Sequence, residues 1–127
     1  MYFRYARHTN DLNNLSSFYK EIFEFQILGV FNNHDGYNGV FIGKPTLDWH
    51  LEFTTSEEIV QHNFSEDDCL VFYPQTEEEY AKILHNIENN KVKTIQHKNP
   101  YWNENGITFR DPDGFYIVIS PLRITTE

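Results

Sequence analysis

Two histidines and one glutamate, His8, His50 and Glu52, are the residues of this chain whose types could together bind a metal ion. Two imidazoles and a carboxylate are the donor set of many zinc and non-haem iron sites, where the metal acts as a Lewis acid. His50 and Glu52 are two residues apart, so on a β-strand they lie on the same face. A second interpretation stays open: both histidines are only hydrogen-bonded at a rim, and Glu52 forms a structural ion pair with Arg4.

Two aromatic residues stand in a segment that we predict to be a loop, Asn99–Trp102. Tyr101 and Trp102 could stack as a lid over a ligand, because large rigid rings bury much area with few torsions. The alternative is a packed loop without a binding role. The single cysteine, Cys69, excludes a disulfide within the chain and is predicted to be a small buried hydrophobe facing the helices.

The composition limits the classes of protein to which the chain can belong. Its 127 residues fit one domain, and 39% hydrophobic residues suffice for a packed core. A net charge of −9 argues against a nucleic-acid partner, because phosphate contacts dominate that affinity. No apolar run is long enough for a membrane span, and the first residues do not resemble a signal peptide. We therefore expect an acidic cytoplasmic protein that binds neither nucleic acid nor membrane.

Two helices are predicted by their capping residues and their apolar spacing. Asn10 or Asp11 can cap the first helix, which then repeats apolar residues from Leu12 to Phe23 at helical intervals. Thr76 followed by Glu79 is typical of a capping box, and the second helix should end at Asn89-Asn90.

Short β-type segments surround these helices, and turn residues separate them. The predicted strands are Phe3–Thr9, Phe25–Asn32, Gly39–Gly43, Asp48–Thr54, Asp68–Pro74, Val92–Gln96, Gly106–Arg110 and Phe115–Ser120. Their order with the helices is βαβββ, repeated once, with Arg4 and Asp68 at equivalent places. The repeat predicts an α+β fold of residues 1–127, with two modules of about 1–60 and 65–127 that form one curved eight-stranded mixed sheet around a cup.

Three segments carry a resemblance to a known superfamily: His8-Thr9-Asn10-Asp11-Leu12 with the following Phe18-Tyr19, then His50-Leu51-Glu52-Phe53, and Phe109 to Ile117 with its Asp-Pro-Asp-Gly turn. In this order they resemble the vicinal oxygen chelate superfamily, which includes glyoxalases, bleomycin-resistance proteins and extradiol dioxygenases. The resemblance spans the whole chain. It implies the same two-module fold, and also a homodimer, since proteins of this group commonly dimerise.

Divalent-metal enzymes of that superfamily place one ligand on each of the first, fourth, fifth and eighth strands. The resemblance puts Arg4, Glu52, Asp68 and Val118 at these positions, and a shift of one residue on the fifth strand would put Asp67 or Cys69 there. A guanidinium and a valine cannot bind a metal ion. The resemblance therefore implies that the usual metal site, and with it a metal cofactor, is absent.

Strand alternation then predicts which side chains line the cup. We expect ligand contacts from Arg4, His8, His50, Glu52, Asp68, Tyr101, Trp102 and Tyr116. This polar lining suits a small polar or cationic molecule, so the first hypothesis is a small-molecule binding protein of the bleomycin-resistance type. Two alternatives remain. One is a lyase or dioxygenase that holds a divalent metal such as zinc or iron at a displaced site of His8, His50 and Glu52; the other is a non-catalytic interaction module.

Overall fold

A computed structural model describes residues 1–125, which form two compact units, the first spanning Met1–His62 and the second beginning at Asn63. The first unit contains β1 (Phe3–His8), α1 (Leu12–Phe23), β2 (Gln26–His34), β3 (Tyr37–Gly43) and β4 (Trp49–Thr55). The second contains β5 (Cys69–Phe72), α2 (Glu77–Asn89), β6 (Thr94–Ile95), α3 (Pro100–Asn105), β7 (Ile107–Arg110) and β8 (Tyr116–Ile119). The α+β class with two βαβββ modules is confirmed, and every predicted strand is present, although β6 is only two residues long.

The strands form two four-stranded mixed sheets of the same topology. The first sheet has the order β1-β4-β3-β2 and the second the order β5-β8-β7-β6. In each sheet one pair is parallel, β1 with β4 and β5 with β8, and the other pairs are antiparallel. The first strand of each unit thus closes its sheet beside the last strand, which brings residues distant in sequence onto one face.

Helix α1 packs one face of the first sheet. Asp11 is its N-cap and accepts a hydrogen bond from the Asn14 amide at 3.1 Å, as predicted. Leu15, Tyr19 and Ile22 of the helix are almost completely buried, and the centre of the Tyr19 ring lies 5.0 Å from that of Phe53 on β4. Glu24 ends the helix in the left-handed conformation. This contact determines which face of the first sheet is covered.

Helix α2 begins at the predicted cap. The Thr76 side chain accepts from the Glu79 amide at 3.1 Å, and the Glu79 carboxylate accepts from the Gln75 amide. The carboxylate therefore reaches one residue beyond the usual partner in a capping box. The helix ends at Asn89, as predicted, and Lys91 then takes a positive φ of 55°.

Helix α3 corrects the prediction that Asn99–Trp102 is a loop. The side chain of Asn99 accepts from the Tyr101 amide at 3.1 Å, and Pro100 occupies the first turn. Asparagine at the cap followed by proline is a common start of a helix, since proline has no amide hydrogen to leave unpaired there. Tyr101 and Trp102 accordingly project from a short helix.

The Asp-Pro-Asp-Gly turn joins β7 to β8. The Asp111 carboxylate accepts from the amides of Asp113 at 2.9 Å and Phe115 at 3.1 Å, while Gly114 takes a φ of 91°. Two backbone hydrogen bonds close the turn: the Asp111 amide donates to the Phe115 carbonyl, and the Gly114 amide donates to the Asp111 carbonyl. The turn is therefore stabilised by a buried carboxylate, and it fixes where β8 begins.

Glycine allows an aromatic ring to lie flat on the first sheet. A Cβ at Gly39 on β3 would overlap the ring carbons of Phe31 on β2, and a Cβ at Gly29 would lie 3.0 Å from the Phe41 ring. The rings of Phe31 and Phe41 are 5.7 Å apart. Close approach of these rings to the strands therefore depends on positions without side chains.

The substitution Gly39→Ala should destabilise the first unit by about 1–3 kcal/mol, because the added methyl group overpacks against Phe31. Urea unfolding at equilibrium measures the loss. In a Phe31→Ala background the same substitution should cost much less, since the opposing ring is gone. Equal losses in the two backgrounds would show that Gly39 and Phe31 are not coupled.

Candidate functional site

Three predicted residues share one face of the first sheet. The parallel register places Arg4 beside His50 and Ala6 beside Glu52. Leu51 and Phe53 alternate with them and are buried on the side of α1. We call the opposite face, which carries Arg4, His50 and Glu52, the open face. Its strand alternation is as predicted, whereas a role of these residues in ligand binding stays a prediction.

A mostly buried carboxylate and a half-exposed guanidinium lie next to each other on the open face. Arg4 Nη1 is 3.7 Å from Glu52 Oε1, and the side chains are 51% and 14% exposed respectively. This distance is an ion-pair distance, but it is too long for a hydrogen bond. The guanidinium of Arg4 makes no hydrogen bond to any residue in the described range 1–125. Its Cζ lies 5.7 Å from the centre of the Phe41 ring, a cation–π contact.

A groove of about 340 Å³ opens beside this pair. It is lined by Tyr2, Arg4, Leu28, Phe41 and His50. We call it the Arg4 groove. Nδ1 of His50 is 2.9 Å from the Tyr2 hydroxyl, and the His50 ring stands perpendicular to that of Phe41 at 5.4 Å. The imidazole is thus held between two aromatic residues.

Tyr2, Leu28 and Phe41 were not anticipated from the sequence. Phe41 pairs with Glu52 across β3 and β4, so it shares the open face, but this follows only once the register is known. Leu28 is the extra residue of a β-bulge between Ile27 and Gly29. A bulge reorients one side chain relative to simple alternation, and no feature of the segment indicated one.

The structure does not bring together the three residues of the alternative, displaced metal site, His8, His50 and Glu52. Nδ1 of His8 lies 2.8 Å from the Thr54 hydroxyl and Nε2 lies 3.1 Å from that of Ser56. His50 pairs with Arg4, and His8 lies four positions further along β1. Four positions of a strand span roughly 13 Å, so His8 is far from His50. Within residues 1–125 no three side chains of the histidine, cysteine, aspartate or glutamate type come together to hold a metal ion.

The register of the second sheet corrects the placement of Asp68. In the first sheet Arg4 pairs with His50, and His50 lies two residues before Glu52. In the second sheet Cys69 pairs with Tyr116, and Tyr116 lies two residues before Val118. Cys69 and not Asp68 is therefore the equivalent of Arg4. Cys69 also shares the face of Tyr116, against the prediction that it faces the helices. Asp68 is exposed and precedes β5, and its predicted ligand contact remains untested.

Two causes raise the pKa of the Cys69 thiol. Burial disfavours the thiolate, and the neighbouring Asp68 carboxylate adds a smaller repulsion. The thiol is thus mostly protonated at neutral pH. This environment is the opposite of the electropositive surroundings that activate a nucleophilic cysteine.

Tyr116 is buried in the second unit beside two residues that the sequence did not suggest. Its hydroxyl accepts from Arg110 Nη2 at 2.9 Å, and its ring lies 5.8 Å from that of His97. His97 is buried, and its Nδ1 accepts from the Asn99 amide at 2.9 Å. Its Nε2 is buried without a hydrogen-bond partner in the described part of the chain. No pattern in the sequence around His97 indicated that this histidine would be buried beside Tyr116.

Tyr101 and Trp102 form a perpendicular ring pair on α3, with centres 4.8 Å apart. Tyr101 is half exposed and Trp102 partly buried. Asn103 of the same helix binds the backbone of His97, accepting from its amide and donating to its carbonyl. The helix is therefore tied to the segment before it, and the predicted lid stays a prediction.

Two βαβββ modules with this strand order are the fold of the vicinal oxygen chelate superfamily. Solved structures agree: glyoxalase I of Leishmania major superposes with a TM-score of 0.70 at 17% identity, covering 92% of this chain and 83% of that one. The FosX fosfomycin resistance protein of Listeria monocytogenes gives 0.66 at 13% identity, covering 92% and 88%. At these identities the likeness shows the fold alone.

Within that class the chain belongs to the YycE-like family. Residues 3–54 match the YycE-like N-terminal domain and residues 67–120 the YycE-like C-terminal domain. Bacillus subtilis YycE, a protein of unknown function, is 39% identical over 119 residues, which cover 91% of this chain and 84% of YycE. Its crystal structure superposes with a TM-score of 0.81 at 35% identity, covering 99% of this chain and 91% of that one.

The residues at the superfamily's four metal positions do not fit a metal ion. With the corrected register these residues are Arg4, Glu52, Cys69 and Val118. Arginine and valine offer no donor atom. Of the remaining two, the carboxylate already faces a guanidinium, and the thiol has a raised pKa. No step of any proposed activity is therefore assigned to a metal.

Protein loaded with an excess of Zn²⁺, Ni²⁺, Mn²⁺ or Fe²⁺ should retain less than a stoichiometric amount after desalting, because a cation at Arg4 repels a second one. Inductively coupled plasma mass spectrometry measures the retained metal. Cys69→Ser serves as the control for metal held by the thiol alone. Near-stoichiometric retention that Glu52→Gln abolishes would contradict this assignment.

Proposed function

We propose that this protein binds a small molecule in the Arg4 groove by contacts with its own side chains, without a bound metal. The observation that carries the proposal is the groove itself, in which one guanidinium and one imidazole stand among apolar walls. Small-molecule sites have this composition, since apolar contacts supply affinity and a few polar groups fix orientation.

The walls of the groove are held in place before a ligand arrives. Phe41 contacts both the Arg4 guanidinium and the His50 ring, and the Tyr2 hydroxyl meets His50 Nδ1. Each contact restricts a side chain that a ligand would otherwise have to order, which costs about 0.5–1.5 kcal/mol per side chain. A preorganised groove of this kind supports binding rather than a chance surface depression.

The relatives support the same proposal at the level of the class. The superposing structures include a trypanothione-dependent glyoxalase I and a FosX fosfomycin resistance protein that holds a dihydroxypropylphosphonic acid. Sequestration without chemistry requires only a groove of matching shape and polarity. Binding alone therefore requires no metal ion and no catalytic group in addition to the residues of the groove.

Binding in the Arg4 groove predicts that Phe41→Ala weakens any bound aromatic fragment roughly tenfold or more, because a ring contact worth about 0.5–1.5 kcal/mol is lost together with buried area. Ligand-observed NMR with a fragment library identifies the compounds, and titration gives their affinities. Tyr101→Ala, on α3, should leave these affinities unchanged. A loss in Tyr101→Ala with no loss in Phe41→Ala would move the site to the second unit.

We also propose that two copies of the chain associate through β2. This strand ends the first sheet, so it has one hydrogen-bonded neighbour there, and its Ile27 and Val30 are 42% and 63% exposed. An apolar edge strand of nine residues is an aggregation hazard unless something covers it, and a second copy is the simplest cover.

The dimer should appear in size-exclusion chromatography with light scattering at micromolar concentration. Val30→Lys should convert it to a monomer, because a charge at the edge opposes strand pairing. Ile59→Lys changes an isoleucine that is 85% exposed outside the strands and should not alter the mass. A monomeric wild type would remove the dimer while leaving the fold intact.

Two further expectations, on location and on nucleic acid, stay predictions. In the described range no helix has the length and apolar character to cross a bilayer. A cytoplasmic location and the absence of a nucleic-acid partner rest on the composition, in particular the charge of −9 and the single cysteine.

A further inference from the structure

We infer that the ligand of the Arg4 groove carries an anionic group, such as a carboxylate or a phosphonate, attached to an apolar body. This inference rests on the proposed function and adds the ligand's chemical class. Although the chain has a net charge of −9, the residues that line the groove include Arg4 and no acidic side chain. The sequence analysis suggested a small polar or cationic molecule instead, for a polar lining that included Glu52.

The guanidinium of Arg4 is available to a ligand. It carries five N–H donors in a planar arrangement that matches the two oxygens of a carboxylate or phosphonate. None of them is used in a hydrogen bond to a residue of the described range, and the side chain is half exposed. The Phe41 ring beneath it limits its orientation. Arg4 is therefore a positioned cation. Its N–H donors face water, which an anion can displace.

A second donor stands beside the first. His50 is the strand partner of Arg4, so both side chains project from neighbouring positions of the open face. When the Tyr2 hydroxyl donates to Nδ1, the ring proton of neutral His50 sits on Nε2, which becomes a donor. A guanidinium and an imidazole N–H side by side form a site for an oxyanion and offer nothing to a cation.

The apolar body of the ligand follows from the remaining lining. Leu28, Phe41 and the ring of Tyr2 provide the other surfaces of the groove. Aromatic rings favour perpendicular or offset contacts with another ring. An aromatic acid could place its acidic group at Arg4 and His50 and its ring against the apolar residues. An inorganic anion would make no contact with the apolar residues.

Glu52 sets the strength of this site. Its carboxylate lies 3.7 Å from Arg4 and competes with a ligand for the same charge. Removing that charge in Glu52→Gln should strengthen anion binding, because the guanidinium then faces only the ligand. A cationic ligand held by Glu52 would show the opposite change. The sign of the effect thus separates the two ligand classes.

The test uses four probes of one shape: benzoate, phenylphosphonate, neutral benzamide and cationic benzamidine. Each is titrated by isothermal calorimetry or by chemical-shift perturbation into the full-length protein, in the presence of EDTA to exclude metal-mediated contacts. Wild type should bind the two anions at least about tenfold more tightly than benzamide, and benzamidine least.

The variants then locate the interaction. Arg4→Gln should weaken the anions about tenfold to a hundredfold, the range expected for a charge-assisted hydrogen bond, and leave benzamide unchanged. Glu52→Gln should strengthen the anions. Arg123→Gln removes an arginine from the second unit, where it contacts Tyr73, and should change nothing. An amide correlation spectrum of each variant confirms that it is folded.

The outcomes distinguish this inference from the proposed function. If all probes bind with equal affinity, or benzamidine binds best, and Phe41→Ala still weakens them, the groove binds small molecules but the anionic class is wrong. If folded Arg4→Gln binds the anions as wild type does, Arg4 is not their anchor and the inference is also overturned. If no aromatic probe or fragment binds in the groove at all, the proposed function itself fails.

Discussion

A carboxylate that is mostly out of water needs a positive charge close by, and on the open face this requirement joins Glu52 to Arg4. The cost of burying an isolated ionised carboxylate is far larger than the stability of a small domain can absorb. Because Arg4 meets this need from β1, the guanidinium is brought over Phe41 and next to His50. The positive charge of the Arg4 groove follows from this one pair.

The two units share a topology and differ in chemistry at equivalent positions. Where the first unit has Arg4 and Glu52, the second has Cys69 and Val118. Geometry alone therefore places four side chains at corresponding points, and side-chain type decides what they can do there. Only the first unit keeps charge at these points, and the second has become largely apolar. The strand pairing is thus the same in both units, while the side-chain chemistry differs.

The sequence predicted elements well where a local interaction determines them. Asp11 and Thr76 cap their helices through bonds to amides three residues away, so both helix starts were visible. Helix α3 was missed because it is one and a half turns long and its proline suggested a loop. Asp68 was misplaced because β5 begins one residue later than predicted, and a shift of one residue exchanges the two faces of a strand.

The lining of the groove could not be predicted from the sequence, because it depends on pairing between strands. Phe41 reaches the open face through the β3–β4 register, and Leu28 through a bulge in β2. Neither the register nor the bulge leaves a pattern within one strand. Arg4 and Glu52 were identified because the superfamily resemblance puts both at metal positions, and His50 because strand alternation puts it on the face of Glu52.

The parallel pairing of β1 with β4 also has a consequence for the order of folding. His8 and Thr54 are 46 residues apart, whereas β2 and β3 meet across the tight turn at Asp35-Gly36. Closing the long loop costs more chain entropy than forming the hairpin, so β1 should join after β2, β3 and β4 have assembled. The first strand of the unit in chain order is then the last to join its sheet. Arg4 arrives with it, so the groove comes into existence only when the first unit is complete.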